Sequence, residues 1–288
     1  MSSPLVSVIC LCYNQRDFVE EAIDSVLNQS YKNIELIVVD DASTDDSKKV
    51  INEIVQKNPT IRFLSLDTNL GNCKAFNKGL SLTKGDYVID LAADDVLEQG
   101  RIQKGIDAFA SHDKIFGVHF SDALWIDEAG AERWRHSSKY PHETIPQGDI
   151  YLDLITRFFI CPPSMMFKRE VIDELNGYDE SLAYEDFDFW IRSSRKFHYC
   201  YSPVVLVKKR VVFNSLSSKQ FQKNSNQLRS TYHVCRKILA LNKNKAEQQA
   251  LTKRIIYEIS VCARLFAFGL TLAYAKLLAA NLMKRYAS

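Results

Sequence analysis

Apolar residues fall along this chain first into short unbroken runs and then into helical faces, and the two patterns alternate. Val6 to Cys12 is an almost continuous apolar run of strand length, the pattern of a parallel strand covered on both faces. The next segment is amphipathic: Phe18, Ala22, Ile23, Val26 and Leu27 share one helical face, and Asp17 with Glu20 three residues on offers a capping box. A second buried run, 34–39, ends in Asp40-Asp41. The rhythm continues with a helix over 47–58 stopped before Pro59, a strand over 61–66, a helix over 72–84 closed by Gly85, and a strand over 87–91. Strands alternating with helices predict an α/β fold with a mostly parallel, doubly wound sheet flanked by helices.

After Asp94-Asp95 the alternation loosens. The pattern predicts a helix over 99–111, a strand over 116–120 and a hairpin turn at Asp127-Glu128-Ala129-Gly130. Residues 161–207 read as a short strand, a turn at Gly177, a helix from about Glu185 and a strand over 199–207. Beyond Asn214 the sequence becomes helical, polar and basic, which predicts a domain over 1–213 and a helical C-terminal appendage over 214–288. Two helices are expected within 219–286. Arg264 and Lys276 bound too short an uncharged interval for the roughly 20 apolar residues of a spanning helix. The second helix is therefore expected to lie on an anionic bilayer, or to dock on the larger domain or on a second copy as a homodimer.

Charge sharpens this division. Residues 1–207 carry 21 Lys+Arg against 33 Asp+Glu, whereas residues 208–288 carry 16 against 2. The acidic part calls for cations in its site and the basic part for an anionic surface. The seven cysteines are odd in number, scattered and without a CxxC pair, so neither a disulfide framework nor a zinc site is signalled. No secretory leader is legible, because the apolar run from Val6 is short and enters a polar loop at Tyr13-Asn14. The expected location is cytoplasmic, with the basic tail allowing a peripheral place at the inner face of the membrane.

Polar residues that follow buried parallel strands are the first candidates for chemistry, because ligands of open α/β sheets bind at the strands' carboxyl ends. Three carboxylate clusters qualify: Asp40-Asp41, Asp94-Asp95, and Glu185-Asp186 with Asp188 close behind. The alternative for each is a helix cap. Three in one chain favour a site.

On these residues the sequence resembles the inverting glycosyltransferases of family 2, which have the GT-A fold, over about residues 4–207. The resemblance rests on VSVICLCYN at 6–14, SVLNQSY at 25–31, ELIVVDDASTDD at 35–46, and Asn69-Leu70-Gly71 followed by Ala75, Asn77 and Gly79. It continues through Gly85-Asp86-Tyr87, Ala93-Asp94-Asp95, Asn176-Gly177-Tyr178-Asp179-Glu180, and Glu185-Asp186 followed by Trp190 and Arg192. It implies a nucleotide-sugar donor, with Cys12 and Tyr13 along the base and ribose and Asp41 accepting the imide N–H of a uracil ring, so that a UDP-sugar is expected. Lys78 is expected either to help neutralise phosphate or to remain a solvated lysine. Asp94 would touch the ribose, and Asp95 would ligate Mn2+ or Mg2+ bridging the two phosphates. Many relatives carry an Asp two residues before this pair, where this chain has Ala92.

The resemblance also assigns a general base to Asp186, which would take the proton of an acceptor hydroxyl on a saccharide or lipid-linked acceptor, as in cell-surface polysaccharide biosynthesis. Glu185 and Asp188 would raise its affinity for that proton by like-charge repulsion. Trp190 and Arg192 are expected to serve packing and loop anchoring. Trp125 and Trp134 are read either as a sugar-stacking platform or as hairpin packing, and the histidines show no ligand spacing. Nucleotidyl transfer is disfavoured by the lack of a Gly-rich, Lys/Arg-bearing loop after the first strand. A degenerate sugar-nucleotide-binding scaffold has only Ala92 in its favour. Nucleic acid is not an expected partner, because the basic tail lacks aromatic interleaving and any reader motif.

Overall fold

The computed structural model describes residues 3–213, 222 and 225–287, with side chains to residue 284. The chain forms two compact units. The first comprises residues 1–148, 160–178 and 197–212, and the second residues 149–159, 179–196 and 213–288.

The first unit is a sheet with helices, and its opening half follows the apolar runs. Strand β1 (Val6–Cys12) is buried at every position and pairs in parallel with β2 (Ile34–Asp40) and β4 (Tyr87–Ala92), while β2 pairs in parallel with β3 (Arg62–Ser65). Between them run α1 (Val19–Leu27), α2 (Ser47–Lys57) and α3 (Asn72–Leu80). After β4 come β5 (Val96–Leu97), α4 (Arg101–Ala110), and a hairpin of β6 (Phe116–Ile126) and β7 (Glu132–Arg135). The second unit takes α5 (Tyr151–Thr156), and the first resumes with β8 (Met166–Lys168) and α6 (Arg169–Glu174). The strand order is β3-β2-β1-β4-β8-β6-β9-β5, where α7 (Asp186–Ser193) precedes β9 (His198–Arg210) in the chain. Because β8 is antiparallel to both β4 and β6, and β6 is parallel to β9, the strands β1, β2, β4, β6 and β9 all end on one edge.

Several boundaries depart from the sequence expectation for local reasons. The capping box at Asp17 does not form: α1 starts at Val19, and Asp17 pairs with Arg16 at 3.4 Å on the surface. Helix α3 ends at Leu80 rather than at Gly85, because Ser81 and Thr83 turn their hydroxyls onto the carbonyls of Lys78 and Leu80. Strand β6 runs six residues past its expected end, and Asp122, which broke its pattern, is buried and accepts from Ser137 and Ala123. Within the expected span, buried His119 meets Arg101 and Ser202. Strand β9 likewise continues through Lys208-Lys209-Arg210.

The second unit is helical: α5 and α7 pack with α8 (Asn226–Leu241), α9 (Lys245–Arg264) and α10 (Phe268–Ala287). The last segment of this unit begins at Phe213, and the unit also gathers 149–159 and 179–196. Among the described residues the C-terminal helices number three, not two. Helix α9 closes with Phe266 in the left-handed region at φ 54, where Ala267 N–H donates to Cys262 O and Phe266 N–H to Ala263 O. That pair of bonds is a Schellman closure. With phenylalanine where glycine usually stands, the sequence carries no stop signal.

Buried polar groups fix the packing of this unit. Asn244 and Glu247 cap α9 reciprocally, and Asn281 of α10 donates to Gln248 O and Thr252 Oγ1 of α9. Arg254 of α9 pairs with Glu258 at 2.8 Å, with its guanidinium 4.1 Å from the ring of Phe158 and 4.7 Å from that of Phe187. Among the described residues no helix is long and apolar enough to cross a membrane. All seven cysteines are buried, and none forms a disulfide.

Candidate active site

The edge where β1, β2, β4, β6 and β9 end carries the first group of candidate residues. Its loops are tied together by the backbone: Asp41 N–H donates to Cys12 O, and Ala93 N–H to Leu11 O. Asn14, in the left-handed region at φ 55, uses its side-chain oxygen to accept from Thr44 N–H at 2.7 Å, fastening the loop after β1 to the loop after β2. Asp41 is buried, and its two oxygens accept from Leu70 N–H at 2.7 Å and Gly71 N–H at 2.9 Å. Burial raises its proton affinity, and these two amides counter the rise. The side chain of Cys12 belongs to the hydrophobic core, and burial pushes its thiol up to about 12. Hydrogen bonds with Ser47, Gln15 and Ser43 counter that rise and tie the thiol to the loops after β1 and β2, whereas the ring of Tyr13 is exposed.

Asp94 and Asp95 stand at the end of β4. Asp95 is buried and accepts from Arg210 N–H at 2.9 Å; burial, and then the neighbouring Asp94, raise its carboxyl to about 7. Burial also raises Asp94, opposed chiefly by Lys209 and by a hydrogen bond from Gln15. Two adjacent carboxylates held this way attract a hard dication, which would remove the penalty of their mutual repulsion. No group of three His, Cys, Asp or Glu side chains forms a metal cage among the described residues. A cation held by this pair would need phosphate oxygens or water to complete its shell.

Lys209 and Arg210 were counted in sequence with the basic tail, and the structure corrects this by placing them in β9 beside the acidic pair. Arg210 is buried and fully engaged, donating to Asp94 O at 3.0 Å, to Asp127 O at 3.0 Å and to Glu21 at 2.5 Å. It locks the turn after β4 to α1 and to the β6–β7 turn. Lys209 lies 5.4 Å over the ring of Trp125. Trp125 stacks on Trp134 across the hairpin at 5.6 Å, so hairpin packing is the arrangement found, with Trp134 half-exposed. The signal for these cations was three consecutive charges directly after the apolar stretch of a strand that ends on the site edge.

Lys78 lies elsewhere. It is exposed in the last turn of α3, six residues and about 9 Å along the helix from Asn72. Its neighbour Asn77 faces the fold: Nδ2 donates to Tyr178 O and Oδ1 accepts from Tyr178 N–H, both at 2.9 Å. Gly177 beside it adopts φ 81, and a Cβ there would come within 2.6 Å of Asn77 Oδ1. Two separated sequence motifs thus meet as one joint. Asn77→Ala leaves both backbone groups of Tyr178 without this partner and is expected to lower the unfolding free energy by about 2 kcal/mol, read by denaturant titration.

Glu185 and Asp186 belong to the helical unit, at the start of α7. Phe187, Phe189 and Trp190 bury the helix, with Trp190 against Phe158 at 5.8 Å. Asp188 does not act as the repulsive neighbour expected from the sequence. It is buried and neutralised by Arg192 at 2.6 Å and by Lys237 of α8 at 2.5 Å. Lys237 also grips Asp179 at 2.5 Å. Burial alone would raise Asp179, but Lys237 and Ser181 together hold it well below the usual carboxylate range. A depressed carboxylate contributes stability above its unfolded value, about 4, and loses it as pH falls through the folded value. Lys237→Ala is therefore expected to cost about 2 kcal/mol at neutral pH, and to make the loss of stability below about pH 4 shallower than in the wild type. Denaturant unfolding at pH 7 and at pH 3 checks both.

The structure thus gathers Cys12, Tyr13, Asp41, Asp94 and Asp95 on one sheet edge, leaves Lys78 on an outer helix turn, and sets Glu185 and Asp186 on a helix of the other unit. Comparison with known proteins bears on this arrangement. Residues 7–175 match the profile of glycosyl transferase family 2. An uncharacterized glycosyltransferase of Methanocaldococcus jannaschii is 31% identical over 195 residues, covering 67% of this chain and 65% of that protein, just under two thirds of its length. The putative teichuronic acid biosynthesis glycosyltransferase TuaG of Bacillus subtilis is 28% identical over 244 residues, 84% of this chain and 92% of that protein. Among solved structures, S. aureus TarS in complex with UDP-GlcNAc matches with a TM-score of 0.69 at 17% identity, over 96% of this chain and 79% of that one. The mannosyltransferase PcManGT from Pyrobaculum calidifontis, in complex with GDP-Man and Mn2+, matches with a TM-score of 0.66 at 18% identity, over 99% and 88%. The shared fold is that of the GT-A glycosyltransferases. Since the matched stretch runs from β1 through β8 and carries Asp41, Asp94 and Asp95, the chain belongs to glycosyl transferase family 2.

Proposed function

We propose that this chain transfers a sugar, with inversion, from a nucleoside diphosphate donor, most simply a UDP-sugar, to a hydroxyl of a saccharide or lipid-linked acceptor in cell-surface polysaccharide biosynthesis. The observation that carries the reading is the Asp94-Asp95 pair at the end of β4, Asp95 buried and Asp94 partly so, beside Lys209 on the edge that also presents Tyr13 and Asp41. The UDP and UDP-GlcNAc complexes of TarS and the teichuronic acid assignment of TuaG support donor and pathway class.

Each residue then has a task. Tyr13 flanks the base, with the backbone of Cys12 behind it. Asp41 uses one loop amide per oxygen to hold its plane, which leaves lone pairs for the imide N–H of uracil. Asp94 holds the ribose and Asp95 the cation. When bound, Mn2+ or Mg2+ would neutralise charge on the departing diphosphate. Lys209 is better placed than Lys78 to add a positive charge there, since it already acts on both Asp94 and Asp95. Asp186 takes the proton of the acceptor hydroxyl as its oxygen bonds to the anomeric carbon. The bond from that carbon to the phosphate oxygen breaks, and the nucleoside diphosphate leaves with the electron pair. Glu185 beside it carries the like charge that favours a proton-accepting Asp186.

Incubation with a panel of UDP-sugars, a glycan or lipid-linked acceptor and Mn2+ tests the reading. The expected result is release of UDP with growth of the acceptor by one sugar. Release of pyrophosphate from a nucleoside triphosphate would instead identify a nucleotidyltransferase, and donor binding without any turnover across the panel a scaffold.

A further inference from the structure

We propose that the outward face of α10, with the corner that joins it to α9, docks on an anionic lipid bilayer. Phe268, Leu272, Ala275, Ala279 and Met283 follow one another at intervals of four, three, four and four residues, the spacing of a single helical face, and all five are exposed. The opposite face is occupied inside the helical unit. Tyr274 and Asn281 are fully buried there, and Lys284 caps α8 by donating to Leu239 O at 2.7 Å and Asn242 O at 3.2 Å. At the corner, the left-handed turn at Phe266 leaves Phe266 64% and Phe268 69% exposed, edge to face at 6.2 Å. A hollow of about 570 Å3 lined by Leu228, Arg229, Phe266, Phe268, Leu270 and Ala273 extends the same apolar surface. An uninterrupted apolar stripe of this length, on a helix of 20 residues, is unusual on a face turned to water.

Charge selects the occupant. Residues 225–287 carry eleven Lys+Arg and only two acidic residues, Glu247 and Glu258. Both glutamates are buried and paired, with Arg195 and Arg254 respectively. Lys253, Arg264 and Lys276 are exposed on α9 and α10. A second copy of the chain would bring the same cations against these. An anionic leaflet accepts the apolar stripe among its acyl chains and the cations among its head groups, with Lys276 extending along the helix to reach them. The helix lies on the bilayer rather than crossing it, in keeping with its hydropathy.

The test is co-sedimentation of the full chain with vesicles of phosphatidylcholine alone and of phosphatidylcholine mixed with phosphatidylglycerol. The wild type is expected to bind the mixed vesicles at least about tenfold more tightly than the neutral ones, and to lose this preference as salt rises. The double variant Phe268→Ser, Leu272→Ser should bind the mixed vesicles at least about tenfold more weakly, while its Tm stays within about 2 °C of the wild type because both side chains are exposed. Equal binding by variant and wild type, or no preference for the anionic vesicles, overturns the proposal. So does a wild-type dimer in sedimentation that the double variant dissolves, which would give the face to a second copy. Vesicle binding needs no sugar transfer, so its failure and a failure of the transferase reading are told apart.

Discussion

Replacing Asp95 by asparagine is expected to lower kcat/KM for the sugar nucleotide at least about a thousandfold while leaving the fold as stable as before, or more so, in metal-free buffer. Asparagine has the same shape, and its carbonyl oxygen can still accept from Arg210 N–H. What disappears is the negative charge. In the wild type that charge sits buried against Asp94, at a cost to the folded state that burial and repulsion both increase. A residue kept for stability would not be placed this way. Loss of activity together with an unchanged or raised Tm is therefore the mark of a carboxylate held for a ligand. Steady-state kinetics with Mn2+ and a thermal melt without it give the two numbers, and a variant that turns over normally removes Asp95 from the cation's shell.

Asp186→Asn should leave donor binding near the wild-type value and reduce turnover at least about a hundredfold, as expected for removal of a general base. The carboxamide fills the same volume at the start of α7, whose anchoring through Phe187, Phe189 and Trp190 is untouched. A stability change is thus a poor explanation for any loss seen. Turnover within a few-fold of the wild type would pass the base role to Glu185, and Glu185→Gln then becomes the informative variant. Comparing the two variants by calorimetry with the donor and by product release separates binding from proton transfer.

The first four strands of the sheet were legible because each is a buried apolar run whose ends are marked by turn residues and by the acidic pairs themselves. The helix between β3 and β4 was read too long because hydroxyls at Ser81 and Thr83 end it through bonds that leave no mark on hydrophobic periodicity. In β6 the pattern broke at Asp122, a polar residue that is buried only because Ser137 comes from elsewhere to meet it. Such pairing is tertiary information. Lys209 and Arg210 were missed for a related reason. A strand that ends in three cations looks like the start of a charged tail until its parallel partner β6 is known.

The helical unit shows the same limit on a larger scale. Its C-terminal helices read as an appendage, yet α8 holds α7 through Lys237, and α9 reaches Phe187 through Arg254. Segments 149–159 and 179–196 join it from positions far upstream, and nothing in their composition distinguishes them from the sheet-forming sequence around them. By contrast, the acidic residues of the candidate site stood out at once. Paired carboxylates directly after a buried strand conflict with local preference, and such conflicts concentrate where function overrides stability.

On the proposed mechanism Asp95 would grip the donor diphosphate through a divalent cation, while Asp186 serves a later step. Titration of UDP into wild type, Asp95→Asn and Asp186→Asn, each with and without Mn2+, tests it most directly. Wild type and Asp186→Asn are expected to bind UDP equally and at least about tenfold more tightly with the cation, whereas Asp95→Asn is expected to gain nothing from it. Undiminished, Mn2+-enhanced binding by Asp95→Asn would contradict it.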